Sequence, residues 1–214
     1  MPTQDIQSPD VAFPVLEDRA YLCVRAVIQW LQAIFQTRPV GTFRWRPLAD
    51  DTEITISGEE PSGAERTNKR PHIAVLRTPV NYVNSSLGQQ QTPAFNSDEA
   101  TYTDLVQGAF IITVIAREGI EAQSIAYQLF RLIPMFRGTL NRLGQMQVYP
   151  GRMTLSGETP YRAIQQGSSV PEWKSVTLML PFTVQDTFSI DSGRYNAYVR
   201  KIEQTILDMD LNNP

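Results

Sequence analysis

The sequence predicts an α+β protein, in which a mostly antiparallel β-sheet is flanked by an N-terminal helix, a central helix and a C-terminal helix. Residues 16–36 and 121–143 carry apolar residues at helical spacing, which indicates two amphipathic helices. Residues 101–117 and 173–188 form long strand-like runs rich in β-branched and other apolar side chains. Because strands and helices do not alternate regularly along the chain, the pattern favours an α+β fold over a parallel α/β fold.

The centre of the predicted fold is the strand over residues 101–117 with the helix that follows it. The run that begins at Phe110 is almost continuously apolar, which favours a strand with little water on either face. The helix over residues 121–143 has one apolar side that the sheet has to cover. Pro134 lacks an N–H group and predicts a kink or a division of this helix. Gly144 is the predicted stop.

The rest of the chain is assigned to shorter elements. Residues 1–15 are polar and contain prolines, so they are predicted to form an N-terminal arm, and residues 16–214 are predicted to form a single domain. Strands are predicted at 43–47, 53–57, 72–77, 78–83, 145–150 and 153–157, and a last helix after Asp191 or Ser192. Polar stretches at 58–71, 84–100 and 158–172 are predicted to be loops. Long loops in a compact domain are often functional.

Composition excludes several classes of protein. A formal net charge of −3 argues against a protein that coats nucleic acid, since such proteins need a basic surface. The single cysteine excludes an internal disulfide and a thiolate-rich metal site. No apolar run is long enough to span a bilayer, and the first residues lack the pattern of a signal peptide. A chain made in a reducing cytoplasm is the simplest interpretation, and this includes a virus particle assembled there.

The sequence contains no recognisable catalytic equipment. It has no phosphate-binding loop, no dinucleotide-binding glycine motif and no nucleophile elbow. His72 is the only histidine and is predicted to be a surface or strand-end residue, and Cys23 is predicted to be a small core residue. The alternative, a small α+β enzyme or ligand-binding domain, would have to use carboxylates such as Asp98, Glu99 and Asp104. No cofactor, metal site or catalytic residue is assigned.

The order of elements resembles the tail terminator proteins of tailed bacteriophages and, more loosely, other neck and tail-completion proteins. The similarity covers approximately residues 16–190. It rests on the N-terminal helix, the strand from Asp104 to Arg117, the helix that starts at Glu121 and ends at Gly144, the short strand at 146–149, and the late strand at 176–184.

This resemblance implies a structural protein of the phage neck. Such a protein forms a ring, usually a hexamer, that caps the tail tube, ends its polymerisation and joins the tail to the head connector. A head–tail connector or stopper is the alternative within the same class. The implied partners are further copies of the chain, the tail tube protein and the connector or stopper. DNA passes through the channel without specific binding, and no membrane is involved.

Candidate ring or docking contacts come from two groups of residues. The first group is the mixed-charge loop, whose other interpretation is a solvated loop: Glu59, Glu60, Arg66, Lys69 and Arg70. The second group is the set of large aromatic residues, each of which has even odds of belonging to the core: Tyr21, Trp30, Trp45 and Trp173.

Overall fold

The computed structural model describes residues 18–59, 70–83, 92–93, 99–161 and 173–191. Within these ranges the chain forms three α-helices and nine β-strands. In chain order they are α1 (Arg19–Gln36), β1 (Thr55–Ser57), β2 (His72–Arg77), β3 (Asn81–Val83), β4 (Thr92–Pro93), β5 (Glu99–Ala116), α2 (Gly119–Met135), α3 (Arg137–Gly144), β6 (Met146–Val148), β7 (Thr154–Leu155), β8 (Thr159–Tyr161) and β9 (Trp173–Asp191).

All nine strands belong to one sheet. Its main path runs β1–β2–β5–β9–β6, while β3 and β4 also pair with β5, and β7 and β8 also pair with β9. The first pair, β1 with β2, is parallel, with Thr55 opposite His72. The other pairs whose register is described are antiparallel. The predicted α+β class with a mostly antiparallel sheet is therefore confirmed, although one parallel pair makes the sheet mixed.

Internal contacts divide the chain into two units. One comprises residues 18–83 and 105–185 and contains the three helices with most of the sheet. The other comprises residues 1–17, 84–104 and 186–214, of which the structure describes β4 and the outer residues of β5 and β9. The single domain over residues 16–214 stays a prediction.

The core lies on one face of the sheet in the larger unit. Alternate residues of β5, among them Phe110, Ile112 and Val114, join one hydrophobic cluster with alternate residues of β9 and with the buried sides of α1 and α2. On the opposite face Thr113 and Ile115 are also buried. Burial of both faces here agrees with the unbroken apolar run in the sequence.

The first helix begins later than predicted. Asp18 is the N-cap, and its carboxylate accepts a hydrogen bond of 3.0 Å from the N–H of Tyr21. The helix therefore starts at Arg19 instead of residue 16. The other carboxylate oxygen of Asp18 lies 2.8 Å from the guanidinium of Arg77, which ties the start of α1 to the end of β2.

The central helix is divided, as predicted. Pro134 lies in the last turn of α2, the chain turns at Phe136, and α3 follows directly. The second part ends at Gly144, as predicted, and the left-handed residue that follows it is Gln145, with φ of 46°. Gly144 also leaves room for its neighbour, since a β-carbon there would lie only 2.7 Å from Cε of Met146.

Three stretches differ from the sequence prediction. Residues 43–46 form no strand, because the N–H of Trp45 donates to the carbonyl of Phe35 and the N–H of Arg44 donates to the Glu53 carboxylate. The predicted loop at 84–100 contains β4 and the start of β5, and the predicted loop from residue 158 contains β8. Such short strands are held by main-chain hydrogen bonds and need no apolar pattern.

Other predictions fall outside the described residues. They include the N-terminal arm, the last helix after Asp191, and most of the stretches at 58–71, 84–100 and 158–172.

Two glycines of α3 give a matched test of the packing around this helix. Gly144→Ala is expected to cost about 1–3 kcal/mol of unfolding free energy, because the new methyl group would collide with the buried Met146 side chain. Gly138→Ala places its methyl group in open space and should stabilise the helix by up to about 1 kcal/mol. Urea unfolding of both variants measures the two changes, and equal effects would contradict this packing.

Candidate functional site

The four candidate aromatic residues have different environments. Tyr21 is 61% exposed, whereas Trp30 and Trp173 are only 3% and 6% exposed. Trp30 packs edge-on against Phe136, with ring centroids 6.3 Å apart. Trp45 is half-buried against the core cluster. The core alternative therefore holds for Trp30 and Trp173, which are not free to anchor a neighbouring subunit, and Tyr21 alone of the four has most of its surface accessible.

The mixed-charge loop is described only at its two ends. Glu60, Arg66 and Lys69 lie outside the described residues. Glu59 is exposed, and Arg70 donates from its guanidinium to the carbonyl of Asp50 at 3.2 Å. The structure therefore describes no binding site that is formed by the charged residues of this loop.

His72 holds the beginning of that loop. It is 4% exposed, so the prediction of a surface histidine is wrong, although its place at the strand end is right. Its Nε2 lies 2.9 Å from the carbonyl oxygen of Glu59 and 3.2 Å from Oγ of Ser57. Because a carbonyl oxygen can only accept, the short contact places the ring proton on Nε2.

Cys23 is fully buried on α1, as predicted. Its thiol donates to the carbonyl of Gly144 at 3.5 Å. Burial raises the pKa of this thiol from 9.0 to about 11, while the charge of Arg19 opposes the shift and that of Asp18 adds to it. A thiol that stays neutral at physiological pH is a poor nucleophile.

The alternative carboxylate site is not assembled in the part of the chain that the structure describes. Asp98 lies outside it, and the backbone of Glu99 and Asp104 belongs to β5 instead of a loop. Among the described residues no three His, Cys, Asp or Glu side chains come close enough together to hold a metal ion.

A cleft of about 280 Å³ lies between α1, the end of α3 and β9. We call it the α1–α3 cleft. Its α1 side is lined by residues that follow one another at helical spacing along one side of the helix: Arg19, Leu22, Arg25 and Gln29. Its α3 side contains Leu143 and the left-handed Gln145. Arg19 and Arg25 are the charged residues of this lining, which contains no carboxylate. The cleft therefore combines positive charge with apolar and amide surface.

A surface of different character surrounds the first turn of α2. We call it the α2 N-terminal face; it consists of Glu118, Ile120 and Glu121 and borders a shallow depression that also contains Arg117. Ile120 is 82% exposed. Burial, and secondarily the negative charge of Glu118, raise the pKa of Glu121. The face therefore presents an apolar side chain between two carboxyl groups.

A third carboxylate lies beside this face. The Glu158 side chain accepts a hydrogen bond of 3.2 Å from Gln123 and lies 3.9 Å from the ammonium of Lys174. It occupies the space over Gly119 that a β-carbon would fill. Carboxylates are favoured here because the N-terminus of a helix carries partial positive charge.

Neither surface was predicted from the sequence, although one signal was present. Ile120 lies off the apolar stripe of α2, whose buried residues include Ala122, Ile125 and Leu129. Ile120 directly precedes the helix predicted from residue 121 and belongs to none of the predicted apolar faces, which indicates an exposed apolar residue. The cleft had no such signal, because it depends on α3 lying beside α1.

No helix in the described ranges is long and apolar enough to cross a membrane. No protein-family model matches the chain, and no curated protein matches it either.

The buried thiol gives a test by pH. The neutral thiol of Cys23 contributes stability that is fully present below pH 9.0, where the unfolded thiol is also neutral, and that is lost as the pH rises towards about 11. Two units of pKa correspond to about 2–3 kcal/mol of lost unfolding free energy. Cys23→Ala should lose less stability than the native chain between about pH 8 and about pH 10.5 in urea unfolding. Parallel losses in the two proteins would contradict the raised pKa.

Proposed function

We propose that this protein is a non-enzymatic structural component of a phage neck, and that it acts as the tail terminator. Copies of the chain form a ring that caps the tail tube, ends its polymerisation and provides the surface to which the head connector binds. The protein belongs to the virion after assembly in the host cytoplasm, and DNA passes through the ring without specific binding.

The observation that carries this proposal is the order of the elements. The N-terminal helix α1, the long strand β5, the divided helix α2–α3, the short strand β6 and the late strand β9 follow one another in the order on which the resemblance to tail terminators rests. The boundaries of β5 and β6 lie within a few residues of those expected for that resemblance.

The distribution of surface groups adds support. A cyclic ring needs two different faces on each subunit, since each subunit meets the next one head to tail. The α1–α3 cleft and the α2 N-terminal face share no residue and differ in charge. Each also includes apolar surface, which assembly can remove from water.

Localisation in intact particles tests the proposal. We expect an antibody against the full chain to label one ring at the top of the tail tube in electron micrographs of the phage that encodes it. Removing the gene should give tails of uncontrolled length, because nothing would then stop the polymerisation of the tube. Pre-immune antibody and particles from the deletion strain are the controls.

Two outcomes would contradict the tail terminator. Label against the portal, with tails of normal length but detached from heads in the deletion strain, would assign the protein to the connector or stopper position. Absence of the protein from particles, with normal particles in its absence, would overturn the structural function.

A further inference from the structure

We propose that the α2 N-terminal face of one copy docks into the α1–α3 cleft of the next copy, with Ile120 entering the cleft between Arg19 and Arg25. The inference rests on the proposed ring, and it identifies which surfaces meet. The contact is head to tail, so each copy uses both surfaces at once.

Charge complementarity selects a second copy as the occupant of the cleft. The guanidinium groups of Arg19 and Arg25 make no hydrogen bond or ion pair with any residue that the structure describes. Asp18, the acidic residue next to Arg19 in the chain, is already engaged by Arg77 and by the N–H of Tyr21. The two cations therefore lack a described counter-charge, and Glu118 and Glu121 of another copy provide two, which outnumber the single cation Arg117 in the same depression.

The apolar groups match as well. Ile120 is 82% exposed, although isoleucines at Ile125 and Ile133 of the same helix are completely buried. In the cleft, Leu22 and Leu143 offer apolar surface beside the charges. An apolar side chain enclosed by charged groups matches the usual interface arrangement of an apolar centre and a polar rim.

The two surfaces are made of different residues. One lies at the first turn of α2, and the other is formed by α1, the end of α3 and β9, with no lining residue in common. Docking at one surface therefore leaves the residues of the other available for a third copy.

Position-specific cross-linking tests the contact. The full chain carrying Gln29→Cys together with Ser124→Cys, an exposed position in the depression beside Ile120, is treated with a short bis-maleimide. Because a head-to-tail contact brings the cleft residue of each copy to the face residue of the next, we expect a ladder of covalent trimers, tetramers and larger species. Native Cys23 does not interfere, since it is fully buried and its thiol is neutral.

Matched variants establish that the ladder is specific. Either cysteine alone can join at most two copies and should give nothing larger than a dimer. Gly138→Cys with Ser124→Cys uses an exposed position on α3 outside the cleft and should give no ladder. A ladder with that control pair, or none with Gln29→Cys and Ser124→Cys, overturns the proposed contact.

Charge reversal supplies a second readout. Arg25→Glu or Glu118→Arg, each in the two-cysteine background, should suppress the ladder because like charges then meet. Mixing these two variants should restore it, since the reversed cleft of the first variant matches the reversed face of the second, and the native face of the first matches the native cleft of the second. Failure of the mixture to recover the ladder rules the charge pairing out.

The result is separable from the proposed function. A ring in labelled particles without the ladder removes this contact and leaves the tail terminator in place. A ladder from a protein that is absent from particles keeps the contact and removes the tail terminator.

Discussion

The stacked pair of Phe110 and Phe182 joins the two longest strands, and most of the core is arranged around it. Their ring centroids are 4.2 Å apart, the planes differ by 15°, and both side chains are completely buried. Gly108 makes room for this pair, because a β-carbon there would lie 3.2 Å from the Phe182 ring. Truncating a buried phenylalanine to alanine typically costs about 3–5 kcal/mol, so this contact is a large share of the stability of a domain. Between β5 and β9 the chain forms α2 and α3, whose buried residues join the core cluster on the face of the sheet.

The division of the helix into α2 and α3 determines where the cleft lies. The helix is interrupted at Phe136, whose backbone is not helical, and α3 starts directly after it. There α3 lies against α1, and the Cys23 thiol of α1 reaches the carbonyl of Gly144. Gly144 has no side chain, which leaves room for Met146, the first residue of the edge strand β6. Pro134 therefore acts on the cleft indirectly, through the position of α3.

Sequence patterns predicted the elements that bury a repeating apolar face, and they failed where contacts depend on the tertiary fold. The boundaries of β2, β5 and α2–α3 follow from apolar periodicity and from Pro134. Residues 43–46 alternate between apolar and polar side chains, as a strand would. Their N–H groups instead donate to the carbonyl of Phe35 in the last turn of α1 and to the carboxylate of Glu53. The strands β4 and β8 have polar sequences, so periodicity could not reveal them. A large aromatic residue suits a core as well as an interface, so the sequence does not decide between the two for Trp30 and Trp173. The cleft was missed because it is assembled from segments that are distant in sequence, whereas the α2 N-terminal face lies at the boundary of the predicted helix.

Folding and assembly place different demands on the same helix. Ile125 on one side of α2 is completely buried, whereas Ile120 near its start contacts little of its own chain, so the fold does not depend on Ile120. The charges of the two surfaces determine which of them can meet. Two copies that met through the same surface would bring Arg19 and Arg25 against their own equivalents, or Glu118 and Glu121 against theirs, and both arrangements are repulsive. Contact between unlike surfaces is attractive, and a contact between unlike surfaces generates a ring when its rotation closes. The separation of charge between the two surfaces thus disfavours two-fold dimers and favours the head-to-tail contact that we propose.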